Sequence, residues 1–119
     1  MFISSLKECK EFIAEDDSVL RELLHAEKGE FTFGYSLAHA TVKPNTQTRP
    51  HRLQFSEVYY ILEGKGRMHI DAEVSPVFAG NAVYIPPGSL QYIENREKTD
   101  LKFLCIVDPA WRKEAEEIL

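Results

Sequence analysis

From Gly29 onward, turn-forming residues interrupt the chain at short intervals, and this punctuation limits the possible folds more than any other feature of the sequence. Between the interruptions lie short runs rich in aromatic and β-branched residues, such as Val58-Tyr-Tyr-Ile61, Val83-Tyr-Ile85 and Phe103-Leu-Cys-Ile-Val107. Runs this short, bounded by Gly, Pro and Asn, suit strands rather than helices. So many short strands must stack or close on one another to hide their edges, which predicts an all-β sandwich or barrel.

Side chains alternate along a strand, so Tyr35, Leu37, His39 and Thr41 share one face. Pro44-Asn45 then turns the chain. Glu57 to Leu62 carries apolar residues at both parities and is predicted to be buried on both faces. Glu63-Gly-Lys-Gly66 reads as a hairpin turn. Arg67 to Asp71 alternates, with Met68 and Ile70 opposite Arg67 and His69. Asp71-Ala-Glu73 and Ala79-Gly-Asn81 are further turns, Pro86-Pro-Gly88 stops the strand Val83–Ile85, and Leu90–Ile93 and Leu101–Val107 are the last strands.

The two ends read differently. Leu6, Cys9, Phe12 and Ile13, and then Val19, Leu20, Leu23 and Leu24, have helix-like spacing, with a turn at Glu15-Asp-Asp-Ser18. Propensity favours helices across 5–24, and edge strands are the competing reading. At the other end Asp108 suits an N-cap and Pro109 a first helical position, which predicts a short C-terminal helix over 109–119 with Trp111, Ala115 and Ile118 on one face.

A chain of 119 residues with no long linker is one domain, 1–119. Its net charge of −5 argues against nucleic acid or an anionic membrane as the main partner. No apolar run approaches the roughly 20 residues of a membrane span. The opening residues lack the pattern of a secretory signal. Cys9 and Cys105 lie far apart without CxxC spacing, which suits a reducing cytoplasm, and Cys105 reads as a buried apolar residue.

Two blocks carry the chemistry. The first runs from Asn45 through five residues to His51, then Leu53, three residues, Glu57, six residues and Gly64. The second runs from Gly80 through five residues to Pro86 and Gly88, then Gln91 and, three residues further on, Asn95. In these blocks, about 45–64 and 80–95, the chain resembles the cupin superfamily, in its small single-domain form. Asn45 stands where the first motif has Gly, Leu53 where it has a second His, and Gln91 where the second motif has His. The resemblance implies a double-stranded β-helix, the cupin jelly-roll barrel. It also implies a homodimer and a divalent metal such as Mn, Fe, Ni or Zn inside the barrel.

The spacing has physical content of its own. In a straight strand His51 and Glu57 would lie about 20 Å apart. Donors to one metal must lie at about 2.0–2.2 Å from it. A shared ion therefore requires a bend within Gln54-Phe-Ser56, with Gln91 reaching in from another strand. Leu53 donates nothing, and the neutral Gln91 carbonyl suits oxygen-preferring cations. His39 is the candidate for the missing nitrogen, if the turn at Pro44-Asn45 sets its strand beside that of His51. The predicted metal set is thus His51, Glu57, Gln91 and His39, each weighed against an ordinary polar role in a metal-free pocket.

Other polar residues are weaker candidates. His69 and Arg67 read as solvated or dimer-facing, and His25 reads as a surface residue. Tyr59, Tyr84 and Tyr92 line a pocket or simply pack. No Ser or Cys has a His and acid partner in motif spacing. Taken together, the residues and the resemblance predict a cytoplasmic barrel holding a divalent metal and a small organic ligand, with a metal-dependent enzyme of dioxygenase or isomerase type as one reading and its enzyme status left open. The alternatives are a non-catalytic sugar- or acid-binding module with a degenerate metal site, and a barrel acting through dimerisation.

Overall fold

The structure, a computed structural model, describes residues 1–119. The first half of the chain forms β1 (Glu11–Ile13), β2 (Val19–His25), β3 (Ser36–Val42), β4 (Thr46–Gln47), β5 (His51–Leu53) and β6 (Ser56–Glu63). The second half forms β7 (Lys65–Ile70), β8 (Glu73–Phe78), β9 (Ala82–Ile85), β10 (Leu90–Asn95), β11 (Leu101–Asp108) and β12 (Glu116–Ile118). One sheet has the order β1-β2-β3-β11-β6-β9, and the other β12-β5-β10-β7-β8 with β4 also on β10. Every pairing is antiparallel. The two sheets face each other as a jelly-roll barrel, as the punctuation of the sequence predicts.

The chain crosses between the sheets at the Gly- and Asn-like positions of the two motifs. Asn45, Gly64, Gly80 and Gly88 have φ of 57°, 88°, 92° and 79°. That left-handed region suits Gly first and Asn next, so Asn45 fills a Gly position at little cost. Gly64 is the single residue between β6 and β7, but these strands lie in different sheets and do not pair. The predicted hairpin at 63–66 is therefore a corner between sheets. Gly66 belongs to β7, where a Cβ would lie 2.9 Å from Leu101 and 3.0 Å from Ile93. Close packing across the core, not a turn, requires glycine there.

Ile61, Met68, Ile85, Ile93, Leu101 and Phe103 form the core between the sheets with Ala40, Val42 and Tyr59. On β6 only Glu57, Tyr59 and Ile61 are buried; Tyr60 and Leu62 are exposed on the outer face. Within one chain the predicted burial on both faces is not met, because no element of the chain packs over the outer face of this sheet.

Both ends of the chain depart from the helical reading. Only single 3-10 turns occur, at Leu6–Glu8 and Lys113–Ala115. β2 is a strand paired with β3, and its register shifts between Glu22 and Leu24. A bulge adds one residue and breaks the period of two, so the apolar residues of this strand imitate helical spacing. The acidic turn stands where expected, with Asp17 at φ 72° and Ser18 N and Oγ donating to Asp16 Oδ1.

At the C-terminus the predicted helix over 109–119 gives way to the 3-10 turn and β12. β12 pairs with β5, Glu116 opposite Leu53 and Ile118 opposite His51. A terminal helix of about ten residues is marginal on its own. The ladder offered by β5 and the packing of Ala115 and Trp111 on Leu53 and Val107 outweigh its propensity.

Candidate ligand-binding site

The inner faces of three strands change character along their length. On β3, Ala40 and Val42 pack in the core while Ser36 and Ala38 line a cavity; on β6, Ile61 packs and Glu57 and Tyr59 line it. On β11, Leu101 packs while Phe103, Cys105 and Val107 line it. One part of the barrel is thus filled, and the rest holds a cavity of about 720 Å³ that opens to solvent. The β1–β2 turn and the segment 111–116 complete its wall. This volume falls within the usual range of small-molecule sites, about 300–1,000 Å³.

His51 is 2% exposed and stands opposite Gln91 in the β5–β10 ladder. Its Nδ1 lies 2.7 Å from the Arg49 carbonyl oxygen. A carbonyl only accepts, so Nδ1 carries the proton and Nε2 keeps its lone pair when the ring is neutral. Nε2 lies 3.9 Å from Asp16 Oδ2, beyond hydrogen-bond length.

The bend predicted at 54–56 is present: β5 ends at Leu53 in one sheet and β6 starts at Ser56 in the other. It brings Glu57 into the same cavity as His51. Glu57 is 7% exposed and accepts a hydrogen bond at Oε1 from Gln91 Nε2 at 3.2 Å, while its Oε2 has no hydrogen-bond partner. Burial raises its pKa to about 8; the Gln91 bond opposes this, and the charges of Asp16 and Glu116 add to it.

The two motif departures take structural places. Gln91 Oε1 accepts from the Tyr59 hydroxyl at 3.2 Å, and its Nε2 serves Glu57. Both ends of the amide are thereby engaged by side chains, and Gln91 stands behind the cavity wall rather than on it. Leu53, 2% exposed, packs with Val107 and Ala115.

His39 is not brought to this group. β3 and β5 lie in different sheets, so Pro44-Asn45 does not pair them. His39 alternates with the inward Ala38 and Ala40, stands opposite Arg21 and Leu104 in the ladders, and has its pKa lowered by burial and by nearby Lys102 and Arg21. No three His, Cys, Asp or Glu side chains converge as a metal ion requires. The donors fit a metal only in part: the His51 imidazole nitrogen and carboxyl oxygens of Glu57 and Asp16 share the cavity without converging on one point.

Several lining residues carry no motif signal. Asp16 uses Oδ1 on Ser18, leaving Oδ2 toward His51. Glu116, from β12, accepts from Trp111 Nε1 at 3.3 Å; burial raises its pKa against the opposing effect of His51. His25 is not a surface residue: it is 6% exposed, bonded to the Trp111 carbonyl at 2.9 Å and accepting from Glu27 N at 3.1 Å. Burial and the nearby carboxyls push the Cys105 thiol well up, which disfavours its thiolate. Of the tyrosines only Tyr59 lines the cavity; Tyr84 is exposed, and Tyr92 stacks on His69 at a ring distance of 4.0 Å.

Comparison with known proteins agrees with this architecture. The family described as Cupin domain matches residues 38–107. An uncharacterized protein of Methanocaldococcus jannaschii is 42% identical over 113 residues, covering 92% of this chain and 88% of its own. An oxalate-binding protein of Thermotoga maritima is 39% identical over 51 residues, covering 43% of this chain and 42% of its own. Among solved structures, a Cupin 2 conserved barrel domain protein from Salinispora arenicola superposes with a TM-score of 0.77 at 18% identity, covering 97% of this chain and 92% of its own. That identity carries the fold alone.

Proposed function

The chain belongs to the cupin domain family, and from that premise we propose that it binds a small organic molecule in the barrel cavity, against His51 and Glu57. The observation that carries this reading is the open-mouthed cavity of about 720 Å³ with two polar atoms that have no protein partner, His51 Nε2 and Glu57 Oε2, on otherwise buried side chains. No side-chain polar atom is sealed in the protein without a partner, so both atoms are open to the cavity, where a ligand can take them as hydrogen-bond partners. A binding module suits the motif departures, since Leu53 and Gln91 remove donors that a metal would use. The test is a thermal-shift screen of small amines, alcohols and acids on the parent protein and on Ala38→Phe, which puts a ring into the cavity beside Cys105. Ligands that stabilise the parent and not the variant support the reading; ligands that stabilise both equally, or none at all, count against it.

A second reading is favoured by the fixed tautomer of His51. An imidazole whose Nδ1 proton is held by a carbonyl is arranged as metal-ligating histidines are. Here His51 and Glu57 would hold a divalent ion of the Mn, Fe, Ni or Zn type, which would act as a Lewis acid toward a ligand oxygen. Elemental analysis after chelation and reloading tests it: one ion per chain, lost in His51→Ala, supports this reading. A homodimer is part of the proposal, supported by the exposed Tyr60, Leu62 and Tyr84 of the β6 and β9 strands. Sedimentation of the parent against Tyr60→Lys tests that part. No helix is long and apolar enough to cross a membrane, and the two free cysteines suit a cytoplasmic setting.

A further inference from the structure

Resting on the reading that the cavity takes a small molecule, we propose that its ligand is an organic cation, a protonated amine carried on a flat apolar body. The cavity is lined by Asp and Glu side chains more than by basic ones. Its only Lys and Arg are already committed, Lys28 to Glu22 at 2.6 Å and Arg112 to Glu27. Asp16, Glu57 and Glu116 then face the same space as His51, the other lining imidazole, His25, being held by the Trp111 carbonyl and Glu27 N, and no Lys or Arg pairs with any of the three.

A second feature points to a ligand rather than to a solvated acidic patch. Glu57 is more than nine-tenths buried, and its Oε2 has no partner while the residue faces the cavity. An anionic ligand would meet the Asp16 carboxylate there, and a neutral one would leave Asp16 with only the His51 ring, 3.9 Å away, as a neighbour of opposite sign. A bound ammonium supplies both charge and donors.

The apolar wall selects among cations. Tyr59 and Phe103 lie side by side with ring centroids 4.3 Å apart, and Trp111 and Phe12 also line the cavity. Aromatic faces attract ammonium groups and pack flat apolar bodies. A bare metal ion needs several donors at one point, and no three of the acidic or imidazole side chains converge in that way. An ammonium donates to carboxyl oxygens spread over a wider shell.

Trp111 is the only tryptophan and lines the cavity, so its fluorescence reports occupancy. The intact protein is titrated, with EDTA present, with 2-phenylethylamine, 2-phenylethanol and phenylacetate. The expected result is saturable quenching by the amine, tighter than by the other two by about tenfold or more, or roughly 1.4 kcal/mol. Asp16→Asn and Glu116→Gln, both of which keep an acceptor oxygen for Ser18 or Trp111, should each weaken the amine several-fold and leave the alcohol unchanged. Binding of the alcohol or the acid as tight as that of the amine overturns the charge assignment while leaving the cavity as a binding site. Amine binding indifferent to both substitutions, or no saturation by any of the three, also overturns it. The cavity reading itself stands or falls separately, on the Ala38→Phe screen.

Discussion

Gln91 Nε2 donates to Glu57 Oε1 at 3.2 Å, joining β10 in one sheet to β6 in the other beneath the cavity. The same amide accepts from the Tyr59 hydroxyl at 3.2 Å. A residue at a position of the metal motif thus ties the two sheets together. Gln91→Leu leaves Glu57 and the Tyr59 hydroxyl without partners in a buried place. The expected loss is about 1–3 kcal/mol for each unpaired group, read from urea unfolding. Tyr59→Phe, which takes away only the hydroxyl donor, should cost less, about 0.5–1.5 kcal/mol.

The raised pKa of Glu57 makes stability depend on pH. Its folded value of about 8 lies above the ordinary 4.5, so the native state holds a proton that the unfolded chain releases. The corresponding stability is fully present below pH 4.5 and is lost as pH rises through about 8. Glu57→Gln should flatten this slope and make the ligand-free protein more stable than the parent near pH 9. The difference expected is of the order of a few kcal/mol at most. Thermal melts of both proteins with EDTA, from pH 5 to pH 9, measure it; parallel profiles would remove the assignment.

Gly64 and Gly80 separate backbone strain from collision. Both have φ near 90°, but a Cβ at Gly64 would lie 2.8 Å from the Asp100 carbonyl oxygen, while one at Gly80 meets nothing within 4 Å. Gly80→Ala should cost about 1–2 kcal/mol from its conformation alone. Gly64→Ala should cost clearly more, because backbone must also move. Paired urea denaturation curves decide this, and equal losses would show that the corner at Gly64 yields freely.

Leu53 is buried at 2% between Val107 and Ala115, in the packing that holds the C-terminal segment against β5. Leu53→Ala should destabilise by about 2–5 kcal/mol. It should also raise the protease sensitivity of residues 111–119 more than that of the core. Limited proteolysis followed by mass measurement distinguishes this local loosening from uniform destabilisation.

The barrel was legible because its cause is local. Residues with positive φ must be Gly, Asn or Asp, and strands between such points must be short, so Asn45, Gly64, Gly80 and Gly88 mark the corners in the one-dimensional chain. The spacing of His51 and Glu57 likewise implies a bend, since no straight strand lets them share a cavity. What local pattern could not settle was competition. β2 and the C-terminal segment have helical propensity, but a vacant sheet edge supplies a ladder for each, and that ladder exists only once the rest of the barrel has folded.

The same division holds for the site. Sequence alone determined that an imidazole and a carboxylate enter one barrel, because motif spacing and backbone geometry act within a few residues. Only the tertiary structure decided that His39 faces away, that Gln91 braces Glu57, and that Asp16 and Glu116 arrive from opposite ends of the chain. The electrostatics of a cavity belong to whichever side chains meet across it, and distance along the chain does not record that meeting.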